Sequence, residues 1–357
     1  MSDTWRPQIN GVVRTLEMTT EELARMGHQT LIIGPDARRR TTVSVPFYPE
    51  IKLEFFASRR LTRIFREFEP EYVHLTTEGP LGWAARRICL KRKLGFSTAY
   101  HTRFPEYLAQ RTPRVAARFV RRATFAVLRR FHAPSKAIMV ATASIERELL
   151  AQAFSRIHRW SRGVDLSMFR PYGENMPAFA HLPRPILLYV GRLAVEKNLR
   201  AFLSLDTPGS KVVIGDGPDS DALKYEYPDA HFLGVRQGVK LARCYAAADL
   251  FVFPSASDTF GLVLLEASAS GLRTAALPAP GPMDIFGGEG DFTALDSDLG
   301  RAVAQALTLK VDREAPRAFA GRFTWSACTE QFCAILRISP ARIGSVEPAN
   351  QPDIRPA

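Results

Sequence analysis

Short apolar runs alternate along the chain with longer segments in which apolar residues recur at helical spacing. The first half contains such runs at residues 28–34, 71–75, 96–100 and 137–141, and the second half contains them at 186–190, 211–214, 231–233, 249–253 and 274–277. Runs of this length are typical of buried strands, and the segments between them are long enough for helices. The alternation predicts an α/β protein with parallel sheets covered by helices.

The stretch at residues 171–185 interrupts this alternation with proline, glycine and polar residues, which is typical of a linker. We therefore predict a first domain at 1–170 and a second at 171–322, followed by a closing helix at 323–338 and a disordered tail at 339–357. A length of 357 residues suits two such domains. Because open parallel sheets bind ligands at the carboxyl ends of their strands, the cleft between the domains is the expected site.

The beginning of the chain differs from this pattern. A parallel-sheet domain normally begins with an apolar strand, whereas residues 1–11 have the composition of a loop. We therefore expect the first strand of the first domain to be missing or truncated, and the natural start of the protein to lie upstream of Met1.

Composition narrows the class of protein. Hydrophobic residues make up 46% and charged residues 24% of the chain, which excludes disorder throughout and suits a core-forming protein. The cysteines form no C-x-x-C pair and the histidines show no close metal-ligand spacing, so no metal site is expected. No apolar run approaches the ~20 residues that a membrane span needs. These features favour a reduced cytoplasmic setting.

The net charge of +12 adds one constraint, because a basic protein attracts anionic partners. Nucleic acid, anionic lipid headgroups and phosphorylated substrates all meet that description, and charge alone does not choose among them. The stretch at residues 111–130 is more specific, since its arginines alternate with apolar residues at helical spacing. Basic amphipathic helices bind anionic membrane surfaces, although an ordinary surface helix has the same pattern when its apolar side packs on the domain.

One candidate site lies between a predicted strand and a predicted helix, where Asp258 and Glu266 flank a loop that contains Gly261. Free backbone N–H groups at such a helix start, here around Leu262 and Val263, can bind phosphates beside the positive end of the helix dipole. Glu266 can accept hydrogen bonds from ribose hydroxyls, and Asp258 can reach the hydroxyls of a sugar beyond the phosphates. Taken alone, both carboxylates could equally be helix-start stabilisers.

A second candidate site follows the run at 186–190, where Gly191 precedes the cations Arg192 and Lys197. A guanidinium fork and a compact ammonium can together neutralise a diphosphate leaving group. A single cation in a loop is more often only solvated, so the pair needs support from elsewhere in the chain.

Polar residues also follow the runs of the first half. His101 comes directly after the run at 96–100 and can hydrogen-bond a sugar in the cleft, although a lone histidine more often makes a structural hydrogen bond. Gly11, just before a predicted helix, would let the backbone approach a donor closely. The candidates for contact with an acceptor lie in the same half: Asn10, Glu78, Arg103, Glu106 and Tyr107.

These patterns, in this order, resemble those of the retaining glycosyltransferases of family 4. The resemblance is carried by Gly-Arg…Glu-Lys-Asn at 191–198, by an acidic residue, a seven-residue gap and Glu at 258–266, and by His-Thr-x-Phe-Pro-Glu-Tyr at 101–107. The motif at 101–107 is similar to that of a subgroup containing α-mannosyltransferases and sulfoquinovosyl-diacylglycerol synthases. Asp258 departs from the family, which usually has Glu at this position.

The resemblance implies a GT-B fold, in which two Rossmann-like domains face each other across a cleft and a C-terminal helix packs back on the first domain. It assigns Arg192 and Lys197 to the donor diphosphate, and it places His101 and Asp258 at the transferred sugar. The implied reaction moves a hexose, with retention, onto a lipid or glycolipid acceptor. We expect no metal, no cofactor beyond the nucleotide-sugar donor, and a peripheral location on the inner face of the membrane.

Three alternatives from other classes stay open at this point. A nucleotide-sugar epimerase of related architecture would convert the donor without an acceptor. A non-catalytic sugar-nucleotide-binding module is suggested by Asp258 and the missing first strand. A nucleic-acid binder is suggested only by the charge, and we expect no such partner. Among donors, the His101 segment favours GDP-mannose, and a UDP-sugar used to make a glycosyl- or sulfoquinovosyl-diacylglycerol is the second choice.

Overall fold

The computed structural model describes residues 1–8, 10–45, 48–110, 112–172, 179–256, 258–287 and 290–338. The predicted tail at 339–357 and residues 173–178 of the predicted linker therefore lie outside the described residues, as do Arg111 and the side chain of Tyr107.

The first part of the chain contains an antiparallel hairpin and a four-stranded parallel sheet. The hairpin pairs β1 (Thr42–Val45) with β2 (Tyr48–Glu54), and the sheet has the order β3 (Val73–Leu75), β4 (Phe96–Tyr100), β5 (Ile138–Val140) and β6 (Ile157–Arg159). The helices of this part are α1 (Gly11–Arg25), α2 (Ser58–Phe68), α3 (Pro80–Arg92), α4 (Phe104–Gln110), α5 (Arg114–His132) and α6 (Ala143–Ala151).

The second part is built on a six-stranded parallel sheet. Its strands are β7 (Ile186–Val190), β8 (Ser210–Ile214), β9 (His231–Phe232), β10 (Leu250–Phe253), β11 (Arg273–Ala276) and β12 (Thr293–Leu295). Its helices are α7 (Leu199–Leu203), α8 (Ser220–Glu226), α9 (Gly238–Ala247), α10 (Leu262–Ala269), α11 (Pro280–Phe286), α12 (Leu299–Thr308) and α13 (Glu314–Ala320).

The strand order of this second sheet is β12-β11-β10-β7-β8-β9. The chain runs outward from β7 to β9, then crosses back to β10 and runs outward the other way. This is the doubly wound order of Rossmann-like domains, which leaves a crevice where the direction reverses, at the carboxyl ends of β7 and β10. The crevice is where ligands bind in such sheets.

The burial of β7 explains why the strands of this sheet are continuous apolar runs in the sequence. All of its residues are buried. Leu188 packs in the core cluster on one face of the sheet, and Leu187 and Tyr189 pack in the cluster on the other face. Because both faces are covered, every position must be apolar, which removes the alternation typical of half-exposed strands.

The closing helix, α14 (Trp325–Leu336), begins at Thr324, whose hydroxyl accepts a hydrogen bond from the backbone N–H of Ala327 at 3.1 Å. Its apolar side joins Trp160 and residues of α1 in one core cluster, and the Trp160 indole N–H donates to the carbonyl of Cys328 at 3.1 Å. The predicted packing of a C-terminal helix on the first domain is therefore confirmed.

The prediction of a strand at residues 28–34 was wrong. This segment contributes one bond to the sheet region, from the backbone N–H of Ser2 to the carbonyl of Ile33 at 3.0 Å, and Met1 in turn accepts from Thr76 at 2.8 Å. In the described residues this segment therefore forms no ladder with a neighbouring strand. Among the residues described before β1, none forms a strand.

No helix in the described ranges combines the length and the apolar character that crossing a lipid bilayer requires.

Candidate active site

The loops that follow β7 and β10 meet in the crevice. The Lys197 ammonium donates to the Asp258 carboxylate, and the Asn198 side-chain amide donates to the carbonyl of Pro254 at 3.2 Å. The side chains of Lys197 and Asp258 are 22% and 21% exposed, so this ion pair remains reachable from solvent. The two candidate sites that are far apart in the sequence thus lie side by side.

Tight backbone packing shapes the loop after β7. A Cβ atom on Gly191 would lie 2.6 Å from the Tyr189 hydroxyl, and one on Gly215 would lie 1.8 Å from the Gly191 carbonyl. The Tyr189 hydroxyl donates to the carbonyl of Arg192 at 2.9 Å. Burial, and next the Asp258 carboxylate, raise the pKa of Tyr189 well above its usual value, so its hydroxyl stays a donor. Gly191, which was predicted to contact the nucleotide-sugar donor, must therefore be glycine because no side chain fits there. Arg192 lies beside it and is half-buried.

The N-terminus of α10 opens into the same crevice. Gly261 precedes this helix with φ of 90°, a left-handed conformation that favours glycine. Because glycine has no side chain, it cannot cap the N–H groups of the first turn. The first backbone N–H groups of a helix, here those of Leu262 and Val263, have no partner within the helix. A Cβ on Gly11, at the start of α1, would lie 3.4 Å from Leu262 Cδ1. The N-termini of two helices therefore converge, which creates a positive potential suited to phosphates.

Glu266 lies one turn into α10 and is held by the second domain. The Tyr245 hydroxyl donates to Glu266 Oε2 at 3.0 Å. Burial raises the pKa of Glu266, while the Tyr245 hydrogen bond and the charge of Arg14, on α1, act in the opposite direction. Glu266 is thus a partly buried carboxyl group of the second domain on which a cation of the first domain, Arg14, also acts.

His101 connects the first domain to this cluster. It follows β4, and its backbone carbonyl accepts a hydrogen bond from the Thr259 hydroxyl at 3.0 Å. Its ring nitrogen Nδ1 lies 3.2 Å from Arg162 Nη2. Burial, and next the Arg162 cation, lower the pKa of His101 well below its usual value, so the ring is neutral. The structure therefore brings His101, Asp258 and Lys197 to one place.

Two predicted acceptor-side residues already have structural partners. Asn10 is the N-cap of α1, where its Oδ1 accepts from the backbone N–H groups of Val12 and Val13, each at 3.1 Å. Glu78 Oε1 lies 3.2 Å from Nε2 of the fully buried His132. These contacts explain both residues as parts of the fold, and any contact with an acceptor would be additional.

Arg103 and Glu106 belong to an ionic network that the sequence did not indicate. Arg103 Nη2 lies 2.9 Å from Glu148 Oε2, on α6, and the Arg121 guanidinium, on α5, donates to Glu106 Oε1 at 2.9 Å. Arg103 Nε, Glu106 Oε2 and Glu148 Oε1 are buried and lack hydrogen-bond partners within the described residues. Arg103 Nε lies 3.9 Å from Glu106 Oε2, and Arg121 Nη2 lies 4.0 Å from Glu148 Oε1, so the network fixes α4 against two neighbouring helices.

A separate contact links the two domains at the start of α6. The Asp284 carboxylate, on α11, accepts from the backbone N–H and from the hydroxyl of Ser144, each at 3.0 Å. An acidic side chain is favourable at a helix N-terminus. Neither residue was singled out from the sequence, because a helix cap supplied from another domain has no local pattern.

Comparison with known proteins agrees with this geometry. The family model described as Glycosyltransferase Family 4 matches residues 9–168, and the model described as Glycosyl transferases group 1 matches residues 184–309. The chain is 32% identical over 308 residues to a GDP-mannose-dependent alpha-mannosyltransferase of Mycobacterium tuberculosis, and the match covers 80% of each chain.

Two further relatives carry other names. The chain is 30% identical over 320 residues to sulfoquinovosyl transferase SQD2 of Arabidopsis thaliana, with 82% of this chain and 62% of the relative covered. It is 26% identical over 348 residues to an alpha-monoglucosyldiacylglycerol synthase of Streptococcus pneumoniae, with 87% of this chain and 78% of the relative covered.

Solved structures support the fold. Sucrose-phosphate synthase from Thermosynechococcus elongatus superposes with a TM-score of 0.74 at 19% identity, covering 92% of this chain and 93% of that one. Anabaena HepE in complex with UDP-glucose gives a TM-score of 0.65 at 12% identity, covering 94% and 98%. The predicted GT-B arrangement is confirmed. The match to the family model and the coverage of the mycobacterial relative show that the chain belongs to glycosyltransferase family 4 and is a retaining glycosyltransferase.

Proposed function

We propose that the chain transfers mannose from GDP-mannose, with retention of anomeric configuration, to a lipid or glycolipid acceptor at a membrane surface. The observation that carries the proposal is the crevice, where Lys197, the N-terminus of α10, Glu266 and His101 converge. Membership of family 4 favours transfer over the epimerase, the non-catalytic module and the nucleic-acid binder. The name of the mycobacterial relative supports the mannosyl donor.

In this proposal the donor diphosphate lies between the loop after β7 and the start of α10. Arg192 and Lys197 neutralise it, and the N–H groups near Gly261, Leu262 and Val263 bind its oxygens. These groups are fixed before the reaction, so they stabilise the negative charge that develops on the leaving group without reorganisation. Lys197, now paired with Asp258, would share its protons with a phosphate oxygen.

The remaining donor contacts follow from the positions of three side chains. Glu266 would accept hydrogen bonds from the ribose, since Tyr245 occupies only one of its oxygens in the described contacts. Asp258 and His101 come from different domains, are brought near each other by the bond from the Thr259 hydroxyl to the His101 carbonyl, and would contact the transferred sugar. Gly11 would border the donor from the first domain, because a Cβ at this position would lie only 3.4 Å from Leu262 Cδ1. We propose no metal and no separate cofactor.

The acceptor would enter from the first domain, where the predicted residues Glu78, Arg103, Glu106 and Tyr107 follow β3 and β4 and where Asn10 caps α1. The charged groups of the Arg103–Glu106–Glu148 network could hydrogen-bond an acceptor with hydroxyl groups.

The helix α5 supports a membrane location. One side of it packs inward, with Phe125 and Leu128 buried in the domain, as an ordinary surface helix would. Val115 and Phe119, however, are 95% and 75% exposed, and they lie on the same helix as the exposed Arg118. Exposed apolar groups next to cations suit the interface of an anionic bilayer.

We therefore expect the double change Val115→Ser and Phe119→Ser to weaken binding to anionic vesicles by roughly 100-fold or more, since each buried apolar side chain stabilises by about 1.5–3 kcal/mol and two are removed. Vesicle co-sedimentation measures this directly. The exposed apolar pair Tyr225 and Val239, in the second domain, provides a matched control when changed to Ser. Equal loss in both double variants would contradict a specific role for α5.

The donor is tested with a panel of GDP- and UDP-sugars, with and without anionic vesicles that contain diacylglycerol or a glycolipid. We expect GDP-mannose to be turned over fastest, with stimulation by vesicles. Faster turnover of a UDP-sugar would support the second candidate, a glycosyl- or sulfoquinovosyl-diacylglycerol synthase, which the names of the Arabidopsis and Streptococcus relatives favour.

A further inference from the structure

Arg162 is a buried cation in the loop after β6, with 4% of its surface exposed. Its Nη1 donates to the carbonyls of Trp160 and Ser161 at 2.7 and 2.8 Å, and its guanidinium lies over the Trp160 ring, 4.5 Å from the ring centre. Its Nη2 lies 3.2 Å from Nδ1 of His101.

Burying Arg162 in this way has an unfavourable effect on the free energy of folding. Within the described residues no carboxylate forms an ion pair with Arg162, and burial lowers its pKa to about 10. A buried charge without a counter-ion destabilises a protein unless its hydrogen bonds compensate. The carbonyls and the Trp160 ring hold the cation in place, and Trp160 is itself anchored to α14 through the carbonyl of Cys328. The closing helix thus supports the position of Arg162.

The contact with Arg162 determines the protonation of the His101 ring. A guanidinium has only donors, so Nδ1 of His101 must be the acceptor and the ring proton must be on Nε2. The cation also opposes a second proton on the ring. The other titratable group that acts on His101 is His74, which burial holds neutral with a pKa of about 3. Nε2 is buried and has no hydrogen-bond partner among the described residues.

We propose that Arg162 is a positioning residue that holds His101 as the neutral Nε2–H tautomer, so that His101 presents a fixed N–H donor to an oxygen of a ligand in the crevice. His101 then acts by hydrogen bonding and not as a general base, because its one free nitrogen already carries a proton. A cation bonded to the opposite ring nitrogen also polarises the N–H group, which strengthens the donor. That the ligand oxygen belongs to the transferred sugar rests on the proposed function.

Nitrogen-15 NMR of protein labelled at histidine tests the tautomer without any donor. In the wild-type protein we expect His101 to show a protonated Nε2 and an unprotonated Nδ1, unchanged between pH 5 and pH 8 in this measurement. A protonated Nδ1, or titration of the ring in that range, would overturn the proposal. This result does not depend on activity, so it separates the tautomer from the proposed function.

The variant Arg162→Met removes the donor and the charge. We expect His101 to become a mixture of tautomers with a pKa shifted towards the ordinary value near 6.5, and donor turnover to fall roughly 10- to 100-fold with a new pH dependence. Arg317→Met is the matched control, because Arg317, like Arg162, donates to backbone carbonyls, here those of Leu166, Phe169 and Ala269. An unchanged His101 spectrum in folded Arg162→Met protein would overturn the proposal.

Discussion

Replacement of Lys197 by methionine is expected to lower kcat/KM for the donor by roughly 10²–10³-fold, the loss typical when one fixed charge or donor is removed from a developing anion. Methionine keeps most of the volume of the side chain and removes the ammonium that now binds Asp258. The effect should appear mainly in kcat, because the charge on the diphosphate grows as the sugar leaves. Release of nucleoside diphosphate measures it.

The control for this change is Lys224→Met. Lys224 is also in the second domain and is near an acidic residue, Asp221, at 3.9 Å, but its partner is fully exposed. We expect wild-type turnover in this variant. If Lys197→Met retained wild-type turnover as well, the diphosphate would have to lie elsewhere.

The second large effect is expected for Glu266→Gln, which should weaken donor binding by roughly 10- to 100-fold because hydrogen bonds to a charged acceptor contribute about 1.5–3 kcal/mol. Titration calorimetry with GDP or UDP gives the affinity. Glu226→Gln provides a matched control, since Glu226 is on the surface and pairs with Arg200 at 2.7 Å, away from the crevice. Equal affinity in both variants would remove Glu266 from the donor site.

The same variant should be more stable than the wild-type protein at neutral pH. The pKa of Glu266 is raised in the folded state, mainly by burial, so the folded protein binds this proton more tightly than the unfolded chain. Stability from this group is therefore present below the unfolded value of 4.5 and is lost as the pH rises through the folded pKa. Thermal unfolding should show a higher Tm for Glu266→Gln at pH 7 and no difference near pH 4.

The parts of the fold that could be predicted are those in which burial alone dictates the sequence. The runs at 96–100 and 186–190 coincide with β4 and β7, because strands covered on both faces favour apolar residues. The two buried polar residues of β4, Ser97 and Thr98, are tolerated because they hydrogen-bond to His74 and His132. The run at 28–34 is apolar as well but has no partner strand in the described residues. A sequence pattern does not show whether a partner strand is present. β6, with its Arg159 exposed, has too little apolar content to be found.

The same distinction applies to the site. Asp258, Glu266 and Lys197 follow buried strands or begin helices, and the carboxyl ends of neighbouring strands meet, so their convergence could be predicted from order along the chain. Arg162 could not be placed, since its effect on His101 depends on a contact between two loops 61 positions apart. The Asp284 cap on α6 depends in the same way on how the domains face each other.

The most direct test of the central claim is the anomeric configuration of the transferred sugar. The protein is incubated with GDP-mannose or UDP-sugars and with vesicles that carry diacylglycerol or a glycolipid, and the new linkage is assigned by proton NMR. The account predicts an α-linked product from the α-linked donor, formed in equal amount with the released nucleoside diphosphate. A β-linked product, or folded protein that turns over neither donor series, would contradict it.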